Sequence, residues 1–471
     1  MDDSIFKTRT FWYKSLWVLV FALAVHAVNM SSSDMRGDAI VYASIAKNII
    51  TMHSPLILHF DGNVYLNKPP LFFWLIALSL SVFGYTVFAA KLVAVLAAVA
   101  LNLSVFYLIV RLFRSYNLGY LCIFCLNTTY VIYKNTHSVR MEGLTAFLIL
   151  MAIIFLWHYM KSSEFRYLAL FGLMSGLAVM SKGFLGFLPW ATLLIYLMLP
   201  GSAAWRNRKV LVHTLIALLI CMVTFGWWYV YISLHTNFFH HFFYGEVAAR
   251  LLNGSLQTKD HVNYHTKPIY QYVVYMFRDY FMYLPFLIYG GYRVYKEQHR
   301  FDREGLVLVT IYTVFSWVVI HAISTRSERY MYEFYTTAAL FTAYGIASIP
   351  KLKNIRFVNW LKVFGITYMI FILVTPMKLS WNSYTSLREL EDISHNTHIP
   401  IYINMKWLPS YVDRAGVRFF LESSVLDQNK PSGSYFTVLP KYYQGNLSYR
   451  LIKKTRRVLI VLVPKSDLDL S

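Results

Sequence analysis

Long apolar runs alternate with short polar interruptions from Leu16 to Thr375. Runs of about 18 or more such residues fit membrane-crossing helices, and the short alternating segments of a β-barrel are not seen. The first span covers roughly residues 12–30. Later spans fall at roughly 86–110, 117–134, 143–160, 166–181, 184–200, 210–233, 270–291, 305–323, 329–349 and 358–376. Lys7, Arg9 and Lys14 precede the apolar run Leu16–Val28, a pattern that fits either a signal peptide or a first-span anchor. The stretch Asp34–Phe83 interrupts the first two spans and is dense in acids, bases and turn residues. It closes on the apolar run Leu71–Phe83, whose length of about 13 residues suits an interfacial or re-entrant segment better than a span.

Charge parity favours the same choice. If Leu71–Phe83 does not cross, the five basic loops all share one side, as the positive-inside rule requires. These loops carry Arg111 and Arg114; Lys161 and Arg166; Arg206, Arg208 and Lys209; Arg293, Lys296, Arg300 and Arg303; Lys351, Lys353 and Arg356. If it crosses, all five move to the outside. The expected fold is therefore a polytopic α-helical membrane protein of about eleven spans, thirteen at most, with a membrane-lying segment after Lys68. The opposite, outer face then gathers Asp34, Arg36, Asp38, Lys68, Lys134, His137, Arg140, Glu142, Lys182, Arg326, Glu328 and Arg329, with the long loop His235–Lys267. Within that loop Phe238–Leu252 fits an amphipathic helix lying in the interface. Past this membrane domain (1–376, with outer loops 31–85 and 234–268) polar residues return. Runs at Ile399–Ile403, Tyr435–Leu439 and Arg457–Val463 read as strands and Asp413–Leu421 as a helix, so 377–471 is expected to be a small soluble α/β domain on the outer side.

Composition agrees with this reading. Of 471 residues 57% are hydrophobic and 14% charged, against about 25% charged in soluble domains. A net charge of +21 would suggest nucleic acid on a soluble chain. Here the cations cluster in short loops, so topology accounts for them and no nucleic-acid partner is expected. Cys122, Cys125 and Cys221 lie in apolar runs and read as packed core. His240, His241, His261 and His265, with Glu246, match no tight ligand motif, so no metal is assigned; an ion there would have a structural role. Gly172-xxx-Gly176 marks close helix packing.

Each charged candidate on the outer face carries two readings. Asp38, after Gly37 and beside Arg36, fits a general base, or a simple helix cap. Pro69-Pro70 fixes the chain after Lys68, so its ammonium fits a phosphate contact or a snorkelling anchor. Arg140 and Glu142 fit a surface ion pair, Lys182-Gly183 a snorkelling span end, and Arg326 and Arg329 helix flanks. Together they place acids and several phosphate-binding cations on one face.

At these residues the chain resembles a known group. Asp38-Ala-Ile-Val-Tyr42, then Tyr65-Leu-Asn-Lys68-Pro69-Pro70-Leu71-Phe-Phe-Trp74, resembles the aminoarabinose lipid A transferase and protein O-mannosyltransferase group. These are GT-C-type glycosyltransferases that use lipid-phosphate sugars. Arg140-Met-Glu142, Gly176 to Lys182-Gly183, the loop with Phe238, Glu246, Arg250 and His265, and Arg329-Tyr330 resemble its further motifs. Three positions depart from the pattern: Ala39 follows the aspartate, Glu142 stands where many members have Asp, and Asn67 stands where an acid often helps hold a metal.

The resemblance implies an inverting transfer from a polyprenyl-phosphate sugar to a lipid A-type glycolipid, at the periplasmic face of a bacterial inner membrane. It implies a monomer in contact with membrane lipids and no required cofactor. Asp38 and Glu142 would be catalytic; Lys68, Arg250, Arg326, Arg329 and Lys182 would bind the donor phosphate; Arg36, Tyr42, Arg140, Glu246, His265 and Tyr330 would position the acceptor. A protein acceptor is the alternative, and a polytopic lipid or sugar transporter a further one; a transporter would be expected to show ionisable residues at mid-span.

Overall fold

The computed structural model describes residues 9–28, 30, 35, 37–199, 207–242, 267–323, 326–349, 387–421, 430–443, 447, 449–454 and 458–464. Among these residues six helical stretches are long and apolar enough to cross a membrane: Arg9–Ala27, Val87–Phe113, Glu142–Ser162, Phe165–Met198, Arg208–His235 and Arg303–His321. The expected last span, roughly 358–376, lies outside the described residues.

Helices Val87–Phe113 and Glu142–Ser162 are buried along most of their apolar length, whereas Arg208–His235 is largely exposed. That outer helix exposes Leu211, Leu215, Leu219, Val223 and Leu234, an apolar face that suits lipid and not water. It is held to the bundle where the sequence marked small residues. A Cβ on Gly172 would lie 2.2 Å from the Ala217 carbonyl oxygen, and one on Gly176 would lie 2.6 Å from Thr224 Cβ. Only glycine allows that approach. The three cysteines are buried and free.

Phe165–Met198 does not run as one rod. Gly183 takes φ 70°, a backbone region that favours glycine, and a 3-10 turn covers Gly183–Phe187. A Cβ on Gly186 would meet Val179 N at 2.2 Å, so the chain doubles back on its own helix into a short second one, Leu188–Met198. Two other expected spans are broken. Residues 117–134 form Tyr116–Asn127 and Tyr130–Thr136, because Thr128 and Thr129 bond back to the carbonyls of Phe124 and Cys125 at 2.8 Å and weaken the helix there. Residues 270–291 form Gln271–Tyr280 and Leu284–Glu297, the second opening on Pro285.

Leu71–Phe83 is a helix of 13 residues, about 20 Å long, against a hydrocarbon core of about 30 Å. Buried Pro69 and Pro70 precede it, and Trp74 donates Nε1 to the Pro55 carbonyl at 2.6 Å. Before it, Asp38–Thr51 forms a helix, followed by a two-residue hairpin pairing His59–Phe60 with Asn63–Val64. Asp61 and Gly62 make that turn with φ of 53° and 82°, the positive values such tight hairpins need.

In the C-terminal region, strands Tyr435–Pro440, Val458–Val463 and Arg450–Lys454 form an antiparallel sheet with Val458–Val463 in the middle. Helices Leu387–Thr397 and Tyr411–Phe420 accompany it. Ile399–Ile403, read as a strand, contributes only a bridge from Ile401 to Phe436. This region is clamped to the first loop. Lys47, 4% exposed, donates to the carbonyls of Arg418, Phe419 and Leu421 at 2.9, 3.1 and 2.6 Å. Its cation thereby caps the negative C-terminal end of helix Tyr411–Phe420. Asp61 accepts from Arg414 at 2.5 Å and Arg418 at 3.4 Å.

Candidate active site

Gly37, at φ 53° and ψ −129°, turns the chain into helix Asp38–Thr51, so Asp38 is the first helical residue and not the cap. Its carboxylate favours that positive helix end, and its Oδ2 accepts two bonds from distant segments. Arg140 Nη1 donates at 2.7 Å and Arg329 Nη1 at 2.6 Å. Arg140 comes from the link before helix Glu142–Ser162, and Arg329 from the 3-10 turn Glu328–Met331. That turn is itself tied down, since Glu328 accepts from Arg278 at 2.5 Å and from Lys134. Burial works to raise the Asp38 pKa. Arg140 and Arg329 overcome it and hold the carboxyl well below the usual carboxylate range.

Beneath lies a second cluster. Lys182 sits between Glu142 Oε1 at 3.6 Å and Glu333 Oε1 at 3.0 Å, with side-chain exposures of 6%, 3% and 1%. The Tyr330 ring faces its ammonium at 5.5 Å. Glu142 and Glu333 each leave one carboxyl oxygen without a hydrogen-bond partner, as does the Tyr332 hydroxyl. Glu142 is within electrostatic reach of Arg140 and Arg329, so the two clusters share a field.

These pairings revise two expectations. Arg140 and Glu142 do not pair with each other; residues two apart at a helix start point apart, and each finds a different partner. Lys182, expected on the donor phosphate, is occupied by two buried carboxylates. Tyr42 lies one turn after Asp38 and packs edge-on against Phe73, ring centroids 5.4 Å apart. That contact joins the Asp38 helix to the helix that starts after Lys68. Lys68 itself is half-buried and follows Asn67, whose Oδ1 bonds His241 Nε2 at 2.7 Å. Arg326 stands apart on the strained link before Glu328, at φ 25°, and donates to the Lys267 carbonyl. Arg36, Glu246, Arg250 and His265 lie outside the described residues.

Sequence reasoning missed Glu333 and Lys47. Glu333 follows Arg329 by four residues, a spacing that places both on one side of a helix start. Lys47 is a cation inside an apolar stretch, which needs buried partners. Among the described residues no group of three or more His, Cys, Asp or Glu side chains gathers as a metal site.

Similarity to known proteins bears on this arrangement. Residues 67–228 match the family described as dolichyl-phosphate-mannose-protein mannosyltransferase. An uncharacterised protein of Aquifex aeolicus (strain VF5) is 25% identical over 73% of this chain and 66% of its own length. The undecaprenyl phosphate-alpha-4-amino-4-deoxy-L-arabinose arabinosyl transferase 2 of Proteus mirabilis (strain HI4320) is 21% identical over 72% of this chain and 61% of its own. The chain thus spans under two thirds of either relative. The crystal structure of ArnT from Cupriavidus metallidurans bound to undecaprenyl phosphate superposes with a TM-score of 0.71 at 12% identity, covering 98% of this chain and 99% of that one. The chain has the ArnT fold. The stretch matched to the mannosyltransferase family includes Lys68, Arg140, Glu142 and Lys182, whereas Asp38, Arg329 and Glu333 lie outside it.

Proposed function

We propose that this chain is an inverting glycosyltransferase that moves a sugar from a polyprenyl-phosphate donor to a glycolipid acceptor of the lipid A kind, at the periplasmic face of the inner membrane. The observation that carries the reading is the Asp38 carboxylate held between Arg140 and Arg329 at a water-accessible end of an apolar bundle. The likeness to ArnT and to the mannosyltransferase family supports the donor class. The acceptor rests on the resemblance of the Asp38–Tyr42 and Lys68–Trp74 motifs to the aminoarabinose lipid A transferases.

In this mechanism the acceptor oxygen attacks the anomeric carbon as the bond to the donor phosphate breaks. Asp38, kept ionised by two guanidiniums, has little proton affinity while both hold it. Such a carboxylate suits an acceptor that is already ionised, which it orients, or the positive charge growing on the sugar, which it stabilises. A neutral hydroxyl acceptor requires more. The donor phosphate would then compete with Asp38 for Arg329 or Arg140, and drawing one cation away raises the proton affinity of Asp38 as the substrate arrives. Arg329 and Lys68 stabilise the departing phosphate. Lys182 and Glu142 hold the floor on which Arg329 and Asp38 rest.

The test uses membranes containing Asp38→Asn or Lys68→Ala with a labelled polyprenyl-phosphate sugar. Asp38→Asn is expected to cut transfer by about 100-fold or more, and near-normal transfer would remove Asp38 from the mechanism. Mass analysis of lipid A and of surface proteins from a deletion strain then distinguishes a glycolipid from a protein acceptor.

A further inference from the structure

Helix Glu142–Ser162 has 21 residues, so its two ends lie about 30 Å apart. Glu142 marks the Asp38 end. At the other end a cavity of about 460 Å³ is lined by Arg111, Arg114, Lys161, Arg300 and Arg303, with Asp302 as the single lining carboxylate. We infer that this cavity is a binding site for the phosphate headgroup of an anionic phospholipid in the leaflet facing the basic loops.

The positive-inside rule accounts for cations in these loops, but not for their convergence. The five come from three separate links: the end of helix Val87–Phe113, the end of Glu142–Ser162, and the turn before Arg303–His321. The lone lining acid is already engaged within the same wall, and Arg300 pairs with Glu297 at 3.3 Å. Asp302 caps helix Arg303–His321 through Gly305 N at 3.0 Å, accepts from Trp157 Nε1 at 3.0 Å, and pairs with Lys161 at 3.0 Å. Lys161 is further held by Glu304 at 2.9 Å. What faces the opening is therefore dominated by arginine, whose planar fork matches phosphate oxygens.

One wall is apolar. Phe113 and Phe301 have ring centroids 4.7 Å apart, and Tyr344 stacks on Phe113 at 5.2 Å. A free phosphate has no use for that wall; the glycerol and first acyl carbons of a phospholipid do. Arg114, Arg300 and Arg303 are exposed, so the site is open to the membrane surface. Basic pockets between helix ends on that side of a membrane recur as anionic-lipid sites.

The experiment uses the full chain in nanodiscs of phosphatidylcholine with increasing phosphatidylglycerol. Bound lipid is counted by native mass spectrometry and thermal stability is followed in parallel. Arg114→Gly removes a guanidinium where the backbone already takes φ 53°, and Arg303→Gln removes a second. Each is expected to lower phosphatidylglycerol retention about fivefold and to abolish its stabilising effect, with stability in pure phosphatidylcholine unchanged. The control Arg208→Gln, at the same end but outside the cavity, should leave retention intact. Equal loss in the control would mean general surface charge and overturn the site. Unchanged retention in both cavity variants would do the same. Inorganic phosphate alone reproducing the full stabilisation would overturn the lipid assignment. None of these readouts uses glycosyl transfer.

Discussion

The two charge clusters at the Asp38 end are close neighbours with opposite character. The upper one has one acid and two cations, with Asp38, Arg140 and Arg329 side chains 31%, 19% and 32% exposed. The lower one has two acids and one cation, all nearly sealed from water. Both contain three formal charges, yet water screens the first and leaves it exchangeable, while burial makes the second dependent on its single lysine. The upper cluster carries spare positive charge where a phosphate could arrive. The lower one carries formal negative charge, which attracts Arg140 and Arg329. Chemistry is expected of the first and stability of the second.

Lys182→Met should separate them most sharply. It leaves Glu142 and Glu333 buried without their cation, at a cost of about 3–5 kcal/mol. Thermal unfolding in nanodiscs should show that loss, and adding Glu333→Leu should recover part of it. Asp38→Asn, by contrast, should shift stability by only about 1 kcal/mol or less while removing transfer. Should Lys182→Met fold normally and lose only activity, the assignment of roles is reversed.

Lys47→Met comes next. The three carbonyls of Arg418, Phe419 and Leu421 lose their donor, a penalty of about 1–3 kcal/mol for buried acceptors left unmade. It should loosen the C-terminal helix from the Asp38 helix. Limited proteolysis should cut the C-terminal region faster, and Asp61→Asn should add to the effect. A cleavage rate equal to that of the unaltered chain would mean that the clamp contributes nothing to docking.

These contrasts also mark what the sequence could reveal. Charge parity sorted the loops into two groups, and the structure brings members of one group into contact: Asp38 with Arg140 and Arg329, Lys134 with Glu328, and Lys182 with Glu142. Parity works because it sums over many loops. Pairing depends on the direction in which a helix launches each side chain, and one-dimensional spacing does not carry that for Arg140 and Glu142. Glu333 was hidden inside the apolar run after Met331, where its only signal was distance from Arg329. Strand Arg450–Lys454 was missed because it is exposed along its whole length, so it shows no alternation of apolar and polar residues.

The smallest expected effect is on pH dependence, and it probes the upper cluster alone. The folded-state pKa of Asp38 is depressed, so its contribution to stability is fully present above the unfolded value of about 3.9 and is lost only as pH falls below that towards the folded value. From about pH 5 to 8 Asp38 should therefore add no slope to stability, and an acid limb of transfer activity in that window should not belong to it. Arg140→Gln removes one of the two cations and should move the Asp38 pKa upward, so that any acid limb due to this carboxylate shifts to higher pH while the rest of the profile holds. A profile that is identical in the two forms down to the pH of unfolding would mean that Arg329 alone sets the state of Asp38. The two-arginine grip would then be a matter of placement and not of proton affinity.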